Sequence, residues 1–358
     1  MATALTNNVT DIGSPVNYQL MRGLLSAAKK KLPFFNGTVS GSLQKNQGAP
    51  AVIWQRVNNL ATATTALSEP TGNTAWQNGR ALVIPTVSTV AVTPAKYGNA
   101  IQLTEEVDLI QMNVRAMGLM DTMGANAGES LNELMMAQYK SATSIRYGGG
   151  VASAGAVITA ISSNDIKKAV NGLNRNSAMK FTPIGTGSTN VGTTPIRDSY
   201  NGICHPDVEE DIRGITGFNS VETYAGYTPT MPGEFGTLNG VRWCSSELSG
   251  LITEDDAGTS STNGLRYTTT ATAADIYHSF IYGREAIGSI GLGEEHAKEI
   301  YQMYDRVPTV ELIHHKPGTA GPADPYNEMQ TLAWKSWFAG KILNQNWVYH
   351  IQSGASAL

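Results

Sequence analysis

The amino-acid sequence predicts an α+β fold organised around one long helix, and three observations carry the prediction. From Thr104 to about Tyr139, the residues Val107, Ile110, Val114, Met117, Gly124, Ala127, Leu131 and Leu134 recur at three- and four-residue steps, with one turn skipped at Asp121. That spacing puts them on one face of a helix. Runs rich in β-branched and aromatic residues stand on both sides of this stretch and read as strands. Ahead of it, a segment of Thr, Ala, Asn and Gly separates two such runs and has few large apolar residues until Leu82, so it cannot build a core of its own.

The helix is supported along its length. Leu109, Met112, Ala116, Met120 and Met123 make a second stripe beside the first. Thr104 can cap the start, and Glu105 and Glu106 then lie in the first turn, where negative charge faces the positive end of the helix dipole. No proline interrupts it, and at ~1.5 Å per residue it would be roughly 50 Å long. Gly118, Gly124 and Gly128 each weaken a helix by ~1 kcal/mol relative to Ala. Their presence is expected where a strand backbone presses close, or at a bend. An ordinary long core helix has the same periodicity.

Composition narrows the function classes. The chain has 358 residues, 41% hydrophobic and 15% charged, which suits one to three domains. A net charge of −4 gives no electrostatic reason for tight nucleic-acid binding. No apolar run approaches the ~20 residues of a membrane span, and the start, MATALTNNVTDIGSP, lacks the basic-then-apolar order of a signal peptide. Cys204 and Cys244 are too few for a disulfide framework. A cytoplasmic product with reduced thiols is expected.

The other elements follow in order. Residues 1–15 read as a flexible arm. Val16 to Leu32 holds a short amphipathic helix, with Lys29-Lys30-Lys31 at its C-terminal end and Pro33 as its stop. Residues 49–57 are a strand candidate. Thr86–Thr93 and Tyr97–Thr104 are two more, so 49–104 reads as a long two-stranded excursion returning into the spine helix. Beyond it, Ser162 or Ser163 caps a helix from Asp165 to about Leu173. Tyr200–Cys204 is a strand, and His205-Pro206-Asp207-Val208 opens a third helix with proline in its first turn. Leu238–Ser246, Asp275–Tyr282, Thr309–His315 and Met329–Phe338 are strands. A last strand carries Trp347, Tyr349 and Ile351 in alternation and joins its predecessor near Asn344-Gln345-Asn346.

A search for chemistry finds no phosphate loop, no GxSxG and no HExxH. Gly291-Leu292-Gly293 follows a strand but lacks the third glycine of a dinucleotide site. Cys204 and His205 are adjacent, as are His314 and His315, and neighbours on a strand point to opposite faces. Glu254, Asp255 and Asp256 lack the spacing of a calcium loop. Glu209, Glu210 and Asp211 suit the first turns of a helix. No catalytic constellation, cofactor site or metal site emerges, which favours a structural or binding role.

The order of parts resembles the Hong Kong 97 fold of tailed-phage major capsid proteins, in the branch of the N-four type. Lys31-Leu32-Pro33 followed by Ala51–Val57 resembles the family's passage from arm to hairpin. Thr64-Thr65-Ala66-Leu67-Ser68-Glu69-Pro70 resembles its "TPLTEG", although the glycine is missing, and Tyr97-Gly98-Asn99-Ala100-Ile101-Gln102-Leu103-Thr104 resembles its "YGNYVELTD". Gly128-Glu129-Ser130-Leu131, Tyr147–Ser153, Asp165–Val170, His205–Val208 and Gly233–Arg242 follow in the family's order. Residues 31–242 are covered in this way, and the remainder fits by pattern.

The resemblance implies an α+β capsid fold: an N-terminal arm (1–48), an extended β-hairpin loop (49–97), a peripheral domain with the spine helix (98–145 and 300–358) and an axial domain (146–299). It implies a subunit without catalytic activity or cofactor. Copies would assemble as pentamers and hexamers into an icosahedral shell in the host cytoplasm. The shell would enclose double-stranded DNA without sequence-specific binding, together with cement, portal or scaffolding proteins. Residues 58–80 carry few large apolar side chains besides Leu60, Leu67 and Trp76, so a neighbouring subunit is expected to cover them. The flanking Trp54, Arg56, Trp76 and Arg80 are the aromatic and arginine side chains that interfaces favour, and they are the expected inter-subunit contacts. An encapsulin-like shell shares this fold. An α/β enzyme with an unrecognised site and a secreted adhesin are the readings outside it, and the missing signal peptide argues against the adhesin.

Overall fold

The computed structural model describes residues 33–43, 51–58, 60, 62–64, 84–104, 114–157, 159–181, 198–223, 231, 233–253, 275–292, 310–315, 325–326 and 328–356. The helix expected at Val16–Leu32, the hairpin tip with Trp76 and Arg80, and the acidic loop Glu254-Asp255-Asp256 lie outside them. In chain order the strands are β1 (Val39–Leu43), β2 (Val52–Val57), β3 (Val87–Val92), β4 (Ala95–Thr104), β5 (Ile145–Tyr147), β6 (Tyr200–Cys204), β7 (Asn219–Ser220), β8 (Glu234–Leu238), β9 (Val241–Ser245), β10 (Ile252–Thr253), β11 (Ile276–Tyr282), β12 (Ile287–Leu292), β13 (Val310–His315), β14 (Met329–Ile342) and β15 (Val348–Ser353). The helices are α1 (Val114–Lys140), α2 (Ser163–Arg175) and α3 (Pro206–Gly214).

Helix α1 is the spine. Met123, Gly124, Ala127, Gly128, Leu131, Met135 and Tyr139 are buried along it, at the helical spacing read from the sequence. They pack against two sheets at once. Leu332, Trp334, Phe338 and Ile342 come from the five-stranded sheet, and Phe280, Tyr282 and Val348 from the eight-stranded one. In the first sheet, β14 pairs antiparallel with β4 on one edge and with β13 and β12 on the other, and β1 adds parallel to β12. In the second, the order is β5-β15-β11-β6-β9-β8-β7, with β10 on β11. Tyr277 and Ile281 of β11 face the core shared with α2 and α3, while Phe280 and Tyr282 face α1. A strand covered on both faces reads as a continuous apolar run, and all seven residues of β11 are buried.

Local signals explain the smaller helices. Ser162 and Asp165 form a reciprocal capping box on α2. Helix α3 has Pro206 at its start and His205 as its cap, with the Asp207 backbone N–H donating to His205 Nδ1 at 3.2 Å.

Several expectations need correction. Described helix begins at Val114, and Thr104, read as its cap, ends strand β4. Within the expected arm (1–48), Phe34 and Phe35 belong to the core beside α1. Phe34 N–H donates to Asn132 Oδ1 at 3.2 Å, Tyr139 Oη donates to Phe34 O at 3.1 Å, and the two rings meet at 5.2 Å. The expected strand Leu238–Ser246 is the second half of a hairpin. Asn239 and Gly240 both have positive φ, 53° and 78°, as a two-residue turn between antiparallel strands requires. Strand β12 belongs to the five-stranded sheet and β15 to the eight-stranded one. The last two strands, joined at Asn344–Trp347, therefore pass from one sheet to the other.

Candidate interaction surface

Strands β2 and β3 pair antiparallel, with Val52 opposite Val92, Trp54 opposite Val90 and Arg56 opposite Ser88. Side chains alternate across such a ribbon. One face turns inward: Val52, Trp54, Val90 and Val92 gather on Ile290 and Ala339 of the five-stranded sheet. Trp54 is seated by two glycines. A Cβ at Gly41 would stand 2.8 Å from the indole, and one at Gly288 2.9 Å. A side chain at either place would collide with the ring, and the parallel β1–β12 pair sets the two glycines two register positions apart: Gly288 pairs with Val39 and Gly41 with Ile290.

The other face is bare. Ile53 is 57% exposed, Val57 61% and Val87 51%, and Leu60 and Ile84 beyond the strands are 55% and 82% exposed. These five are the larger part of the exposed aliphatic side chains on the described surface. Ile53, Val57 and Val87 share one face of the ribbon by their register, and an exposed apolar face of this kind is what interaction sites present. Polar contacts stiffen the ribbon above it. Asn58 N–H donates to Thr86 O at 2.9 Å, Asn58 Nδ2 donates to Ser88 Oγ at 3.0 Å, and Arg56 donates to Asn58 Oδ1 at 3.3 Å.

The four expected contact residues thus separate. Trp54 is half-buried and anchors the ribbon to its own subunit, Arg56 is exposed on β2, and Trp76 and Arg80 are outside the described residues. Ile53, Val57 and Val87 were not singled out from the sequence. The alternation that marks them is visible only once β2 and β3 are set in register.

The remaining candidates are structural. Cys204 and Cys244 are free and buried. Burial pushes the Cys204 thiol well up and that of Cys244 up to about 12, so neither is a thiolate nucleophile at neutral pH. His314 and His315 pair with Leu332 and Thr331 as successive residues of β13. Among the described residues no cluster of three or more His, Cys, Asp or Glu could hold a metal, and no helix is long and apolar enough to cross a membrane. The structure does join two histidines distant in sequence. His278 Nδ1 and His350 Nε2 are 2.7 Å apart, and His278 Nε2 is 2.6 Å from Thr253 Oγ1. Burial lowers the pKa of His278 to about 3 and that of His350 to about 4, with nearby Lys140 adding to both.

No family model matches the sequence, and no curated protein matches it. Solved structures do. The capsid of Ralstonia phage GP4 matches with a TM-score of 0.59 at 12% identity, covering 92% of each chain. The head of Helicobacter pylori bacteriophage KHP40 matches at 0.53 and 12%, covering 91% of each. The capsid of cyanophage Pam1 matches at 0.52 and 14%, covering 90% of this chain and 89% of that one. The fold is therefore that of phage capsid proteins, the Hong Kong 97-like α+β architecture, over nearly the whole chain.

Proposed function

We propose that this protein is a major capsid protein: a structural subunit, without catalytic activity, that self-assembles into the icosahedral head of a tailed phage and encloses its genome. The observation that carries the reading is the hairpin. On a capsid-type fold, the β2–β3 ribbon is pinned to its own subunit by Trp54 and presents Ile53, Val57 and Val87 outward, more than half exposed, with none of the described residues covering them. A neighbouring copy would cover that face, and Arg56, exposed on the Trp54 side of β2, would with Trp76 and Arg80 supply further contacts between subunits. The α1 helix with the five-stranded sheet would make the peripheral part of each subunit, and the eight-stranded sheet with α2 and α3 the axial part around five- and six-fold axes. Assembly would take place in the host cytoplasm around double-stranded DNA held without sequence preference, which suits a net charge of −4.

The test is electron microscopy of the purified chain across protein and salt concentration. Closed shells or curved sheets of five- and six-fold clusters are expected. A chain that scatters light as a monomer under every condition overturns the reading. Shells that form around protein cargo in place of nucleic acid would assign it to an encapsulin-like compartment.

A further inference from the structure

The eight-stranded sheet carries opposite charges at its two ends. At the β5 end, a cleft of ≈ 220 Å³ is lined by Arg146 of β5, by Lys168, Asn171 and Arg175 of α2, and by Asn176 and Tyr349. Lys168, Asn171 and Arg175 share one face of α2 by their three- and four-residue spacing. Gly172 lies among them, and any side chain there would collide with the hydroxyl of Tyr349, which floors the cleft. Among the described residues no carboxylate lines it, and their ion pairs leave all three cations out.

Toward the β8 end of the same face, the balance reverses. Helix α3 lies over β8, with Arg213 above the Phe235 ring at 5.6 Å. Glu209 is hydrogen-bonded to Arg213, and Glu210 and Glu222 also act on that guanidinium, together holding its pKa up. Three carboxylates against one cation leave this end acidic. Glu210 and Glu222 are exposed. Five strand spacings separate β5 from β8, roughly 24 Å at ~4.8 Å each, so one subunit cannot join its own two ends.

We infer that the cleft bearing Arg146, Lys168 and Arg175 receives carboxylates of the α3 face of a second copy of this chain, joining copies head to tail. Two different, complementary patches on one subunit are what a heterologous interface needs, and such an interface closes into a ring when its rotation closes. The inference rests on the capsid reading and names the contact that would build its rings. A second copy is favoured over nucleic acid because the complementary patch is present on the same chain and the chain as a whole is acidic, with 29 carboxylates against 25 Lys and Arg.

The test reverses charge on the full chain. Arg146→Glu with Lys168→Glu sets like charges against each other across the contact. It should raise the concentration for half-assembly by about tenfold or more in sedimentation velocity, with an unchanged circular dichroism melt. Glu210→Lys with Glu222→Lys should do the same from the other side. All four changes on one chain should restore assembly, since complementarity returns with its sign exchanged. Wild-type assembly by either pair alone, or no rescue by the four together, overturns the inference while leaving the shell reading intact. Loss without rescue, accompanied by wild-type binding to a DNA duplex that the basic-end variant abolishes, assigns the cleft to phosphate and overturns it also. A wild-type chain that never assembles removes the shell reading and this contact with it.

Discussion

Two antiparallel strand pairs in this protein have opposite relations to water. In β11, paired with β15 and β6, all seven residues are buried, between α1 on one face and α2 and α3 on the other. In the β2–β3 ribbon only Val92 of the twelve strand residues is buried. Ordering a residue costs roughly 1–2 kcal/mol of backbone entropy. The β11 pair offsets that cost with burial inside one chain. The ribbon offsets it only on the face where Val52, Trp54, Val90 and Val92 reach the five-stranded sheet. The difference separates what a single subunit can complete alone from what it leaves to a neighbour.

Acid should test the self-sufficient region most severely. His278 and His350 are neutral in the folded state, with pKa values lowered to about 3 and about 4, while the unfolded chain takes up protons near pH 6.5. Between those values the unfolded state binds more protons, so stability falls as pH falls. Two histidines together should cost about 4 kcal/mol between pH 6.5 and 4.5. Lys140, at the end of α1, is the cation beside them and works in the same direction. Urea melts across this range should show the slope, and His350→Phe should remove about half of it. An unchanged slope would mean that the pair does not carry the acid sensitivity.

Next in size is Trp243→Ala. Trp243 is fully buried in the core of the eight-stranded sheet, and Gly202 lies close beneath its ring. Truncating a buried Trp costs about 3–5 kcal/mol, so cooperative melting should shift down strongly or be lost. Trp54→Ala makes the contrasting experiment. Its ring is half-buried and sits over Gly41 and Gly288, beside Ile290. The expected cost is about 2 kcal/mol, confined to the ribbon. Hydrogen exchange should rise in β2 and β3 while β11 and β15 keep their protection. Equal loosening of both regions would show that the ribbon belongs to the same cooperative unit as the core.

The sequence was most legible where signals are local. The spine helix, the Ser162–Asp165 cap of α2 and the His205-Pro206 start of α3 stand on short spacings, and the structure has all three. The strands Tyr200–Cys204 and Val310–His315 fall within a residue of their expected ends. What escaped depends on partners remote in the chain. Strand β1 reads Val-Ser-Gly-Ser-Leu and β12 Ile-Gly-Ser-Ile-Gly-Leu, compositions with little strand character. Their glycines make sense only beneath the Trp54 ring. The His278–His350 contact joins residues 72 apart, and no spacing rule reaches it. The Asn239-Gly240 turn is legible from its two residues, but it lies inside an apolar run that reads as one continuous strand. The strands expected at 49–57 and Thr86–Thr93 pair as β2 and β3, but Val-Ile-Trp-Gln-Arg-Val has no clean polar–apolar alternation. Which of its apolar side chains face outward depends on register.

The smallest effect on the subunit is the one that separates the two regions most sharply. Ile53 and Val57 point away from the five-stranded sheet, on the face opposite Trp54, and are more than half exposed. Replacing both with Lys removes little buried area and disturbs no hydrogen bond between the strands, because the ladder is backbone. Substitutions at such positions usually stay within about 0.5 kcal/mol. The melting curve of the isolated subunit should therefore be nearly that of the wild type. Assembly should respond differently. Two charges placed in a face that a neighbour covers would have to be desolvated without partners, at a cost of several kcal/mol for each ion. Light scattering should then report loss of assembly by a subunit that circular dichroism finds folded. If the double variant forms particles as readily as the wild type, this face remains in water in the assembled state. If instead the subunit itself unfolds, the ribbon's outer face packs within its own chain.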